Sequence, residues 1–252
     1  MLRWPAEAIW EAVAPWLPGF TVELLPQIDS TNTELMRRAR AGRLEPTLLV
    51  AEAQSAGRGR LGRAWDSGQQ PGEVLTFSLG LPLHMGDWSG LSLAVGVSLA
   101  QSLHPDVRLK WPNDLWWQDR KLAGILIETA QLGESRYAVI GVGLNIAPRA
   151  AAGLATPPAW LQELEPGVDA PAALLRVLPP LVQALQCFEA EGLGPFLPLF
   201  RARDVLAGRA VRLSDGREGE ACGIDAGGAL LVHTSSGLQK ISSAEVSVRP
   251  NP

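Results

Sequence analysis

The chain has 252 residues, 46% of them hydrophobic, and a formal net charge of −4; that is enough to fill one large core and a small satellite. The acidic balance, with cations dispersed except around Arg58 to Arg63, excludes a broad basic surface for nucleic acid. Two cysteines, Cys187 and Cys222, exclude a disulfide scaffold or a metal knuckle and read as core thiols in a reducing compartment.

At the N-terminus Glu7 and Glu11 interrupt what would have to be the apolar segment of a secretion signal, while Ile9, Val13, Trp16 and Leu17 mark one face of a short amphipathic helix. No stretch offers the roughly 20 uninterrupted apolar residues of a membrane span, so the chain reads as soluble and cytoplasmic. Strand-like runs follow at residues 21–25, 47–53, 74–81, 107–111, 123–129 and 138–146. Between them, one helix opens at Ser30/Thr31, where Thr31-x-x-Glu34 has capping-box spacing, and stops at Gly42; a second covers residues 89–103. The lack of βαβ alternation and the tight Gln118-Asp119-Arg120 turn predict an α/β (α+β) fold with a mixed or antiparallel sheet flanked by helices.

Residues 148–169, rich in Ala, Pro and Gly, read as a loop with one short helix near residues 160–164. A helix over residues 170–191 is expected to break at Pro179-Pro180. After Arg203 five short β-type runs, at residues 210–213, 218–224, 229–233, 238–241 and 246–249, are punctuated by Asp215-Gly216, Gly227-Gly228 and Ser236-Gly237. They predict a small β-barrel over residues 205–252 leaning on a main domain of residues 1–204, whose first 19 residues hold the N-terminal helix.

Three stretches carry chemistry. Gly57-Arg58-Gly59-Arg60-Leu61-Gly62-Arg63, ahead of Trp65, leaves a strand with glycines that let backbone amides approach an anion and arginines that supply charged forks, although a solvated turn is the bland reading. Lys110-Trp111-Pro112-Asn113-Asp114 precedes Lys121, whose ammonium is set beside Gly124 at a pocket wall or, alternatively, snorkels from a surface hairpin. Ser30-Thr31-Asn32 begins a helix, where free amides favour a polar ligand and plain capping is the alternative. Gly141-x-Gly143-x-Asn145 ends a buried strand, either for close packing or to present Asn145 to a pocket.

Taken together and in this order, these stretches resemble the catalytic domain of biotin–protein ligases over residues 29–146, with a looser likeness in the C-terminal barrel. The resemblance implies the fold shared with class II aminoacyl-tRNA synthetases and lipoate ligases, plus an SH3-like C-terminal domain. It implies that biotin and ATP are joined as an acyl-adenylate, with Mg²⁺, and that biotin then passes to a lysine of a biotin carboxyl carrier protein. Lipoate or octanoate transfer and a non-catalytic vitamin or nucleotide sensor are the rival readings. Carried onto this chain, Ser30, Thr31, Asn32 and Gln54 meet the biotin ring, and Gly59 and Gly124 form part of its pocket. Arg58, Arg60 and Lys121 hold the carboxylate and α-phosphate, Trp65 and Asn145 meet the nucleotide, and Asp114 assists the acceptor lysine. The glycine-spaced loop is then a lid that is mobile without ligand. Fewer than thirty residues precede Asp29, whereas a winged DNA-binding module needs about 60, so no DNA partner is expected; a homodimer is compatible with this reading.

Overall fold

The structure, a computed structural model, describes residues 2–132, 135–149, 156–242 and 248–250. Residues 150–155 of the expected loop and the first two residues of the last expected strand lie outside them. A short helix α1 (Ala6–Val13) leads into β1 (Thr21–Leu25), α2 (Thr31–Arg40), β2 (Thr47–Ala51), β3 (Val74–Pro82) and α3 (Leu91–Leu103). There follow β4 (Arg108–Lys110), β5 (Asp114–Trp117), β6 (Arg120–Leu132), β7 (Ser135–Asn145), α4 (Ala170–Glu191) and α5 (Leu197–Arg201). The C-terminal part contributes β8 (Ala210–Leu213), β9 (Glu218–Ile224), β10 (Leu230–Thr234), β11 (Gly237–Ile241) and β12 (Val248–Pro250).

The first seven strands form one sheet in the order β1-β2-β3-β7-β6-β5-β4, parallel at β1–β2 and antiparallel elsewhere. The last five make a separate antiparallel sheet, β11-β10-β9-β8-β12. Alternation decides what each face of the large sheet meets. Leu75, Phe77 and Leu79 of β3 point into the main core with Val95, Leu99, Leu174, Leu178 and Leu181 from α3 and α4. On the opposite face Leu49, Tyr137 and Val139 pack under Leu35, Met36 and Ala39 of α2 in a second, smaller cluster. Helix α2 covers only part of that face, and the uncovered part is the floor of a cavity.

Several expectations need correction. The cap of α2 is Ser30, one residue before the expected Thr31: Ser30 is extended (φ −160°, ψ 133°) and its side chain accepts from the Thr33 amide. Glu34 instead pairs with Arg37 and Arg38. Helix α4 runs unbroken through Pro179 and Pro180, because Val177, Leu178, Leu181, Val182 and Leu185 keep one face buried on both sides of the pair. Trp16, expected on the same helical face as Ile9 and Val13, lies beyond α1, which stops at Val13, and is 47% exposed because the helical period no longer applies there. Neither cysteine is a core thiol: Cys187 is half-buried and Cys222 exposed. By length and composition α4 is apolar enough to cross a membrane, yet half of it is buried inside the protein.

Candidate active site

The uncovered face of the sheet is unusually small and polar, which is what leaves room above it. Strand pairing sets Thr76 and Ser78 of β3 beside Gly143 and Gly141 of β7, and these beside Gly124 and Leu126 of β6. A Cβ at Gly141 would come within 2.1 Å of Asn32 Oδ1, and one at Gly143 within 2.2 Å of the Trp65 ring. Both glycines are therefore required by what lies on them, Asn32 from α2 and Trp65 from the loop after β2. The resulting cavity, of about 360 Å³, is within the range of small-molecule sites.

Lys121 reaches this cavity through a β-bulge. The β5–β6 register pairs Asp114 with Gly124 and Leu115 with Ala123, then shifts so that Trp116 faces Lys121. The extra residue, Leu122, turns its side chain into the core, and Lys121 emerges on the same side as Gly124, from which regular alternation would have separated it. Its ammonium lies 2.7 Å from Asp114 Oδ1 and 5.5 Å from the centre of the Trp65 ring. The backbone there is held twice: the Lys121 amide donates to Pro157 O, and its carbonyl accepts from the Ala159 amide.

The arginine-glycine loop folds back on itself over the cavity. Arg58 bridges to Ala64, the Trp65 amide donates to Gly57 O, and the Gly59 amide donates to Arg63 O. Leu61 takes a left-handed conformation (φ 56°) at the tip. Arg60 reaches Asn113 Oδ1 at 3.1 Å, and its burial lowers its pKa against the opposing charge of Asp114. The Arg58 guanidinium turns the other way, 3.0 Å from Glu128 Oε1 and 3.4 Å from Thr33 Oγ1.

At the α2 end a chain of hydrogen-bonding groups lines the floor. Ser78 Oγ is 2.7 Å from Thr31 Oγ1 and 2.6 Å from Asn32 Oδ1. The Thr31 amide donates to Gln54 Oε1 at 2.8 Å, and Gln54 Nε2 lies 3.3 Å from Ser67 Oγ. Asn32 lines the cavity but both ends of its amide are engaged, since Nδ2 donates to Leu126 O and Glu128 Oε2. Ser30, Thr31, Asn32, Gln54, Arg58, Gly59, Arg60, Trp65, Asp114, Lys121 and Gly124 all border this one cavity. Asn145 does not: it is buried beside it, with Nδ2 donating to Lys121 O and Ala159 O and Oδ1 lacking any partner among the described residues.

Sequence reasoning left out several residues of the wall. Lys110 sits there, 8% exposed, with its ammonium 5.3 Å over the Trp116 ring. Desolvation pulls its pKa down to about 8, Lys121, Arg63 and Arg249 reinforce that shift, and Asp114 opposes it. Lys110 pairs with Asp114 across β4–β5, and the period-two spacing of Lys110, within a three-residue strand, was too short a signal to orient it. The C-terminal sheet also reaches the cavity through Val248, Arg249 and Pro250, more than a hundred residues from the motifs, with no local signal.

With this geometry in place, comparison with known proteins is specific. Residues 24–145 match the model of the "Biotin/lipoate A/B protein ligase family", and residues 207–249 match "Biotin protein ligase C terminal domain". The bifunctional ligase/repressor BirA of Escherichia coli is 39% identical over 92% of this chain and 75% of its own length. The biotin–[acetyl-CoA-carboxylase] ligase of Paracoccus denitrificans is 34% identical over 88% of this chain and 98% of its own. Among solved structures, biotin protein ligase from Aquifex aeolicus in complex with biotin and ATP superposes with a TM-score of 0.77 at 29% identity, covering 91% of this chain and 99% of that one. Agreement over both sheets and over the cavity motifs makes this chain a member of the biotin protein ligase family.

Proposed function

We propose that the cavity joins biotin to ATP as biotinyl-5'-AMP and then passes the biotinyl group to a lysine of a biotin carboxyl carrier protein, with the residues named above in the following roles. The observation that carries the reading is the meeting of Lys121, Arg60, Lys110 and Asp114 on one wall of a cavity whose far end is a neutral hydrogen-bonding floor. A carboxylate and a phosphate repel each other, and fixed cations around both remove that obstacle in the transition state as well as in the bound pair. A biotin carboxylate oxygen attacks the α-phosphorus, pyrophosphate leaves with the bonding electrons, and Lys121 and Arg60 stabilise the charge that gathers between them. Lys110, with Arg63 and Arg249 nearby, takes the leaving phosphates.

The ureido ring offers two N–H donors and one carbonyl acceptor, which suits the hydroxyls of Ser30 and Thr31 and the amide of Gln54. A straight lipoyl or octanoyl chain has no such groups and would leave that floor unpaired. Trp65 supplies an aromatic face for adenine, while Asn145, buried behind the wall, holds the Lys121 and Ala159 carbonyls and so acts on the site only through the Lys121 backbone. In the second step the acceptor amine attacks the acyl carbon and AMP leaves. A free lysine at pKa about 10.4 is mostly protonated at neutral pH, and Asp114, 2.7 Å from Lys121, orients it and receives its proton. Mg²⁺ arriving with ATP would be held largely through the phosphates and water, with one or two protein oxygens at most, and would neutralise phosphate charge alongside Lys121 and Arg60. Residues 1–204 form the catalytic unit and residues 205–252 the barrel that completes its wall, and the reaction takes place in the cytoplasm.

Biotin-dependent ATP–pyrophosphate exchange, followed by mass spectrometry of a carrier domain, tests this reading. Lys121→Ala is expected to lower exchange by about two orders of magnitude, the usual loss when one charge-stabilising donor is removed, with a thermal midpoint close to wild type. Exchange driven by lipoate and not biotin, or wild-type rates in that variant, would overturn the assignment.

A further inference from the structure

Glu128 stands just outside the cavity wall, on β6 and on the same face as Gly124 and Leu126, and its two oxygens do different things. Oε2 accepts from Asn32 Nδ2 at 3.0 Å. Asn32 is itself immobile: 4% exposed, held by Leu126 O and Ser78, and fitted onto Gly141 where a methyl group has no room. Oε1 faces Arg58 Nη2 at 3.0 Å. One carboxylate thus ties the first arginine of the lid to an asparagine that is rigidly part of the floor, and Asn32 continues through Ser78 and Thr31 to Gln54. Among the described residues the half-exposed Arg58 guanidinium has otherwise only a long contact to Thr33, so Glu128 is the main side-chain tie between this folded-back loop and the sheet.

We infer that Glu128 is a positioning residue: by holding Arg58 against the sheet it sets the closed register of the 57–65 loop and links that register to the hydrogen-bonded floor. It touches no reacting atom. The inference rests on the proposed ligase reading only for its kinetic consequence, since the geometric consequence exists in the free protein.

The test is limited trypsin digestion of the ligand-free full chain, with cleavage after Arg60 and Arg63 quantified by mass spectrometry for wild type, Glu128→Gln, Arg58→Gln and the double variant. Glu128→Gln should accelerate cleavage about three- to fivefold, the size expected when a coupled pair is broken, and the double variant should cleave no faster than either single one. Glu128→Gln should also raise the KM for biotin several-fold with kcat within about twofold, because loop closure contributes binding before chemistry. Glu128→Asp, one methylene shorter, should not restore the slow cleavage. If Glu128→Gln does not fold, Arg58→Gln breaks the same pair from its exposed side. Wild-type cleavage rates in Glu128→Gln or in Arg58→Gln, or additive effects in the double variant, overturn the inference. Loss of biotin-dependent exchange in the wild type would instead sink the functional reading and leave the loop result standing.

Discussion

A buried ammonium is unfavourable until an anion reaches it, and Lys110 has no ion-pair partner among the described residues, only the face of Trp116. Its pKa falls from 10.5 to about 8, with desolvation as the main cause. A lysine depressed in this way penalises the folded state below about pH 8, and the penalty fades as pH rises towards the unfolded value. Lys110→Met should therefore stabilise the free protein at pH 7, by on the order of 3 kcal/mol, and the advantage should vanish near pH 10.5. The same lysine binds phosphate only when charged, so the wild-type KM for ATP should climb above about pH 8 and stay flat in the variant, whose KM is higher throughout. Thermal melts and initial rates across pH 6 to 10 check both; a Lys110→Met protein less stable than wild type at pH 7 would show that the site favours the cation. This residue belongs to a motif visible in the sequence, yet its role was illegible there, because a lysine's burial depends on strands that lie elsewhere in the chain.

At the scale of elements, α4 shows what tertiary packing overrides. Pro179 and Pro180 lack the amides that would bond the carbonyls of Leu175 and Arg176, and local rules end a helix there. The buried stripe from Leu174 to Leu185 carries the helix across, with Asp169 capping its start through the Ala172 amide. Pro179→Ala should restore one bond and raise stability by about 1 to 2 kcal/mol, less than the full helix penalty of about 3 because the unfolded chain also gains freedom. Chemical denaturation would reveal it; an unchanged or lower midpoint would mean that the surrounding packing is built around the proline ring. The β5–β6 bulge is the counterpart of this at the site. The sequence shows Lys121 three residues from Gly124, a spacing that puts them on opposite faces of a regular strand, and only the inserted Leu122 reunites them. The glycines at 57, 141 and 143, by contrast, were legible as places of close approach, since a Cβ there would come within about 2.3 Å of a neighbouring atom.

At the scale of the molecule, the two sheets share one core. Val211, Leu213, Ile224, Leu230 and Val232 belong to the same buried cluster as the helices of the main sheet. The fully buried Trp111 donates its indole N–H to Gly228 O at 2.9 Å, and a side chain at Gly228 would strike Leu193 and Leu93. Two consequences are expected. Trp111→Phe should destabilise the protein by about 1 to 3 kcal/mol through an unpaired buried carbonyl and a smaller ring. Residues 1–204 expressed alone should lose cooperative unfolding, because their exposed core and the missing Arg249 wall are not replaced; a cooperative melt at the wild-type temperature would contradict this.

Alternation, capping residues and turn dipeptides identified nearly all strands and helices, because these are local preferences written in neighbouring residues. The motifs likewise indicated which side chains gather at the site. Whether Lys121 points into the cavity, that Arg58 meets Glu128, that Asn145 lies behind the wall and that Arg249 borders the cavity were settled only by register, a bulge and the docking of the second sheet. Those depend on contacts between residues far apart in the chain, and such contacts leave no periodic trace in a single sequence.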